Sequence, residues 1–243
     1  MKKTLFAVAV AAALAGFADE AAKPDQAAKP EQAAKPAPAA KAEEVEKVAI
    51  RMELPEPVTI GTPKELKDKS NLEADPGPGK LRPPIMVPKG YDNLLSSEKE
   101  VTGSEEPING EFEYLTDGDK ERDITSMVRL PGGLQWVQVD LGEEHEISAC
   151  CVWHDQGDDR VYHDVICQIS NDKEFKKDVK TVFNNDHDES AKLGKGKDKE
   201  YRERNEGRPF AVSLVKGRYV RFYSNGSSSE PSNNYFEVEV YGK

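Results

Sequence analysis

The chain has 243 residues, with 34 Lys and Arg against 45 Asp and Glu, and its formal net charge is −11. This balance excludes a general nucleic-acid binder, because neutralising a row of phosphates requires a basic surface. The 3 cysteines exclude a dense disulfide scaffold. The length allows one large domain or two small ones.

The N-terminus has the pattern of an export signal. Lys2 and Lys3 precede a short apolar stretch at 4–15, and small residues at Gly16 and Ala18 mark a cleavage site. The stretch is too short to span a bilayer comfortably. We therefore predict a signal peptide over 1–18, cleaved near Ala18, and a secreted, periplasmic or cell-envelope protein.

Two proline-containing segments follow the signal. Residues 19–48 repeat Ala-Ala-Lys-Pro every six residues, which prevents a continuous helix and leaves little to bury, so we predict a flexible tether. Residues 49–92 carry eight prolines, which disfavour central strands. We predict an extended arm packed on the following domain; a separate partner-docking segment is the alternative.

Residues 93–243 predict one β-rich domain. Short alternating apolar and polar runs at 136–142, 146–153, 161–170, 181–183, 210–215, 218–223 and 235–241 are separated by Gly, Asn and Asp turns. No long stretch has a helical period. Many short strands without intervening helices predict an all-β, antiparallel jelly-roll sandwich.

Several of these segments resemble a known family. The pieces at 93–94, 115–119, 136–142, 165–170, 217–221 and 237–242 occur in the order seen in discoidin domains, also called coagulation factor V/VIII C-type domains. These are similar to the carbohydrate-binding modules of family 32. The resemblance implies a galactose-binding-like jelly roll with a five-stranded and a three-stranded sheet. The family binds ligands through loops at one end, and most of its members are not enzymes, so we expect a non-catalytic protein.

The resemblance also implies a structural Ca²⁺ ion between the Asp-Gly-Asp loop and the last strand, since a hard cation requires six or more oxygen ligands. Asp117 and Glu237 match the side-chain ligands, and the carbonyls of Tyr114, Asp119 and Phe236 would complete part of the shell. The family's Thr or Ser in this loop is replaced by Arg122. The alternative is that Asp117 only shapes a turn.

Polar residues in three loops predict the ligand site, because planar polar groups and aromatic rings recognise sugars. The candidates are His154, Arg160, Tyr162, His163, Asn184, Asn185, His187 and Asn225. His154 and His187 are favoured, because they fall where strands give way to acidic loops. By strand parity, Trp153 belongs to the core with Ile147, and His163 is an alternative inward residue.

A second interpretation of the same loops is a transition-metal site formed by His154, His163 and His187 with Asp186 or Asp188, although the spacing typical of such sites is missing. Motifs of nucleophilic and phosphate-binding enzymes are missing as well. Strand parity predicts that Cys151 and Cys167 both point inward. They would then either form a disulfide or remain free as small buried side chains.

The sequence thus predicts an exported, non-catalytic module that binds a glycan or glycoconjugate. The alternative is a structural or protein-interaction module with envelope or extracellular protein partners, and a metal-dependent hydrolase is the third hypothesis. Membrane binding is not expected, because the loop tips are acidic and polar.

Overall fold

The computed structural model describes residues 45–62, 64–77 and 79–243. The predicted signal peptide and most of the predicted tether lie outside this part. The strands are β1 (Lys47–Ala49), β2 (Met86–Pro88), β3 (Asn93–Leu94), β4 (Val101–Gly103), β5 (Val128–Leu130), β6 (Gln135–His154), β7 (Ile166–Ser170), β8 (Lys180–Asn184), β9 (Arg208–Ser224) and β10 (Asn233–Gly242). One 3-10 helix spans Phe112–Leu115.

Two long strands, β6 and β9, run through both layers of the domain. The first part of β6 pairs with β4 and with the last part of β9, and β7 and β8 extend this layer. The second part of β6 pairs with β10 and with the first part of β9, while β3 and β5 pair with the far edge of β10. All these pairs are antiparallel, so the predicted all-β antiparallel sandwich is confirmed.

The core lies between the two layers. Val137, Val139 and Phe222 from the first layer form one buried cluster with Val238 and Val240 from the second. These residues alternate with polar neighbours along each strand, which is why each strand presents one apolar face to the other layer. The loops between the strands lie at the two ends of the sandwich, where the strands end.

A β-bulge changes which residues of β6 face the core. Ile147 and Ala149 pair with adjacent residues of β10, so Ser148 is the extra residue of the bulge. Beyond it the facing is reversed, and Cys150 and Val152 join the main core, while Ala149, Cys151 and Trp153 face outwards. This corrects two predictions based on parity. Cys151 does not share a face with Cys167, and all three cysteines are free and buried; Trp153 is buried, but on the opposite face from Ile147.

The segment before the domain covers this outer face. Strands β1 and β2 form a small antiparallel ladder, and Ile50 and Val87 pack against Ala149 and Tyr241. Met52 packs against the neighbouring cluster around Trp153. Arg82 is bonded to Glu206 at 2.5 Å, so both apolar contacts and ion pairs hold the segment on the second layer.

Candidate functional site

Three loops meet at one end of the sandwich, at 155–165, 185–207 and 225–232. The His163 N–H donates to the Gly226 carbonyl, and the Asn225 N–H donates to the His163 carbonyl. Gly226 has a positive φ of 67°, the left-handed turn conformation that glycine adopts without strain. The Asn185 N–H donates to the Val165 carbonyl at 3.1 Å, which joins the second loop to the first.

An acidic cluster of Asp164, Asp186 and Asp188 lies where these loops meet. One carboxylate oxygen of each lies within 4.8 Å of the others, and in the part of the chain that the structure describes no other His, Cys, Asp or Glu residues form such a group. Asn225 Nδ2 and Ser190 Oγ each donate to Asp164 Oδ2 at 2.8 Å. Side chains from the other two loops thus hold the Asp164 carboxylate in place.

The three carboxyl groups have different environments. Burial raises the pKa of Asp186, and the neighbouring charge of Asp164 raises it further. A hydrogen bond from Ser190 lowers the pKa of Asp188, which is exposed. The carboxyl group at the outer edge of the cluster therefore has the lower pKa, and the buried one behind it has the higher pKa.

His163 lies at the rim of the acidic cluster. Its side chain is 42% exposed, and its Nδ1 lies 3.0 Å from Glu200 Oε1. This hydrogen bond raises the pKa of His163, with smaller contributions from Asp164 and Asp188. His187 is half-buried in the next loop. His163, which parity placed inward, is therefore partly accessible to solvent.

His154 and Tyr162 lie inside the domain. His154 is 2% exposed, its Nδ1 lies 2.8 Å from Glu203 Oε1, and its ring stacks on Tyr162 at 4.3 Å between centroids. Tyr162 is fully buried. The preference for His154 as a surface contact is not supported by this position, because β6 extends to His154 and Glu203 supplies a buried partner.

The remaining predicted contacts hold the loops in place. Arg160 bonds to Asp158 and Glu230, each at 2.6 Å. Asn184 Nδ2 donates to the Gly194 carbonyl at 2.8 Å. Asn185 Oδ1 accepts a hydrogen bond from the Val165 N–H at 2.7 Å. All three side chains are buried or nearly so, so they shape the site from beneath.

Lys120, a buried lysine, lies beside two of the residues expected around calcium, Asp119 in the sequence and Glu237 in space. Glu237 in β10 is buried, and burial raises its pKa to about 9; its Oε2 accepts a hydrogen bond from the Gly118 N–H. Asp117 Oδ1 accepts one from the Asp119 N–H. Lys120 Nζ lies 2.7 Å from Glu239 Oε1, and both side chains are almost fully buried. Tyr114 lies in the 3-10 helix, and Phe236 precedes Glu237 in β10.

Sequence reasoning missed Lys120, Glu200 and Glu203. Lys120 follows the Asp-Gly-Asp loop directly, so a basic residue inside an expected cation loop was a usable signal. Glu200 and Glu203 lie in a charged loop with no strand pattern, so their pairing with His163 and His154 had no signal in the sequence. The predicted set of histidines and aspartates for a transition metal is not brought together, because no histidine belongs to the acidic cluster.

No family model and no curated protein matches the chain. Among solved structures, the chain is similar to the CBM32 module of AlyQ in complex with 4,5-unsaturated mannuronic acid, with 19% identity over 58% of this chain and 92% of that module and a TM-score of 0.44. It is also similar to chitosan-binding module 1 of a chitosanase/glucanase from Paenibacillus sp. IK-5 (20% identity, 62% of this chain, 99% of that module, TM-score 0.45). Module 2 of the same enzyme, in complex with chitotriose, gives 19% identity, 61% and 99% coverage and a TM-score of 0.42. The ligands named are those of these modules.

Proposed function

We propose that the chain is a non-catalytic carbohydrate-binding module whose site is the acidic cluster and its rim. The observation that carries this proposal is the meeting of Asp164, Asp186 and Asp188 with half-exposed His163 and Asn225 at one end of the sandwich. The arm borders this site, because Asn71 Nδ2 donates to the Asn185 carbonyl at 3.2 Å and the Glu73 N–H donates to the Glu200 carbonyl at 2.8 Å.

The chemistry of these side chains suits a ligand rich in hydroxyl groups. An ionised carboxylate accepts hydrogen bonds and an amide both donates and accepts, so the site can pair with several adjacent hydroxyls. Hydrogen bonds to charged groups contribute about 1.5–3 kcal/mol each. The aromatic candidate Tyr162 is buried, so recognition in this proposal relies on polar contacts.

An apolar groove favours the second candidate function, a structural or protein-interaction module. It has a volume of about 390 Å³ and lies along the arm, lined by residues that include Met52, Leu54, Leu81 and Pro209. Leu54 and Leu81 are exposed. In both proposals the protein is exported, as the signal pattern at 1–18 predicts. No helix among the described residues is long and apolar enough to cross a membrane.

A glycan-array screen of the purified chain tests the carbohydrate proposal, run with calcium and with EDTA. Specific binding to one sugar class is expected, and a blank array from folded protein would refute the proposal and favour the protein-interaction alternative. The site is then mapped with His163→Ala, which we expect to weaken binding at least about tenfold, equivalent to about 1.4 kcal/mol. His145→Ala is the matched control, because His145 lies in β6 far from the three loops.

A further inference from the structure

The loop at 117–122 carries two positive charges, and each is bonded to a carboxylate of the sandwich. Lys120 pairs with Glu239 of β10 at 2.7 Å, with side-chain exposures of 7% and 3%. Arg122 Nε donates to Asp155, which follows β6, at 2.6 Å. Two charged groups of the chain itself thus hold the loop against β10 and against the end of β6.

The Lys120 ammonium is enclosed by aromatic and acidic side chains on the outer face of the second layer. Its Nζ lies 5.0 Å from the centre of the Trp153 ring, close enough for a cation–π contact. Glu239 Oε2 accepts a hydrogen bond from the Tyr241 hydroxyl at 2.6 Å. Glu237 is the second buried carboxyl group in this environment.

These residues do not fit a calcium ion. Calcium takes six to eight oxygen ligands, but the loop directs the Gly118 and Asp119 N–H groups at the carboxylates of Glu237 and Asp117. The slot that the resemblance assigns to Thr or Ser holds Arg122, whose guanidinium is engaged with Asp155. A divalent ion here would also be repelled by the enclosed Lys120 ammonium.

We propose that the Lys120 ammonium, together with Arg122, holds this loop against the sandwich in place of a calcium ion. The loop then requires no metal to fold. The loop lies beside Leu54 and Pro55 of the arm. By fixing the loop, the same ammonium therefore also helps to hold this part of the arm on the sandwich.

Calcium titration of the purified wild-type chain tests this proposal. We expect no calorimetric binding at this loop and melting temperatures in EDTA and in millimolar calcium that agree within about 1 °C. Stoichiometric calcium binding that raises the melting temperature by several degrees and is lost in Asp117→Asn would overturn the proposal. If Asp117→Asn binds calcium as the wild type does, the ion occupies another site. The result would then agree with a loop that binds no calcium.

Two substitutions at Lys120 complete the test. Lys120→Met should lower the melting temperature by several degrees with and without calcium, whereas Lys216→Met, at a lysine that is 61% exposed, should not. Lys120→Asp replaces the ammonium by a carboxylate, so its melting temperature should rise with calcium. A Lys120→Met protein that melts like the wild type would contradict the proposal, and the wild-type titration remains decisive if a variant fails to fold.

Discussion

The buried pair of Lys120 and Glu239 permits a double-mutant cycle with a defined expected size. Lys120→Met keeps most of the apolar stem and removes the ammonium, which lies 2.7 Å from Glu239 and 5.0 Å from the centre of the Trp153 ring. Breaking a buried ion pair on one side leaves an uncompensated charge and costs about 3–5 kcal/mol. Glu239→Gln should have a cost of the same order, because it leaves the ammonium buried without its partner.

The double variant Lys120→Met with Glu239→Gln leaves no unpaired charge, so we expect it to cost no more than either single variant. The free energies come from urea unfolding followed by tryptophan fluorescence, with Lys216→Met as the surface control, expected within about 0.5 kcal/mol of wild type. Strictly additive single effects, or a Lys120→Met cost below about 1 kcal/mol, would refute the reasoning that this pair is buried and coupled.

Three further predictions concern the arm, the rim and the interior. Val87→Ala should destabilise the chain by about 2 kcal/mol in urea unfolding, because it opens a cavity under the arm; an unchanged free energy would mean that the arm is not seated there. Glu200→Gln should bring the raised pKa of His163 back towards its ordinary value of 6.5 in an NMR titration. In the wild type this imidazolium stabilises the fold below pH 6.5, and the contribution is lost as the pH rises through the raised folded-state pKa; identical titrations would contradict the contact. His154→Ala should lower stability by about 3 kcal/mol, because Glu203 is left buried without its partner, and wild-type stability would show that the pair is not enclosed.

The strand pattern predicted the domain because its physical cause is local. Alternation along 136–142 and 235–241 places one apolar face on each strand, and two such faces can only be buried against each other. The bulge at Ser148 could not be predicted from the sequence, because a bulge has no marker in the residue types of β6. It nevertheless reverses the faces on which Cys151 and Trp153 lie. Alternation beyond a bulge therefore predicts the wrong side.

The sequence predicted which loops carry the polar candidate residues, but not which of their side chains reach solvent. The three loops were identified correctly as polar, and the structure brings them together at one end. Which side chain reaches solvent depends on partners far along the chain, such as Glu203, which lies 49 residues from His154. A histidine at the end of a strand is therefore enclosed or exposed according to a contact that local sequence does not contain.

Isothermal titration of Asp188→Asn with the sugar identified by the array tests the central claim most directly. Asp188 is exposed at the edge of the acidic cluster, so the substitution removes one charge with little change in packing. Asp178→Asn is the control, because Asp178 is exposed in the loop between β7 and β8 at the opposite end of the sandwich. We expect at least about tenfold weaker binding in Asp188→Asn and wild-type affinity in Asp178→Asn; equal affinity in both variants would contradict the assignment of the site.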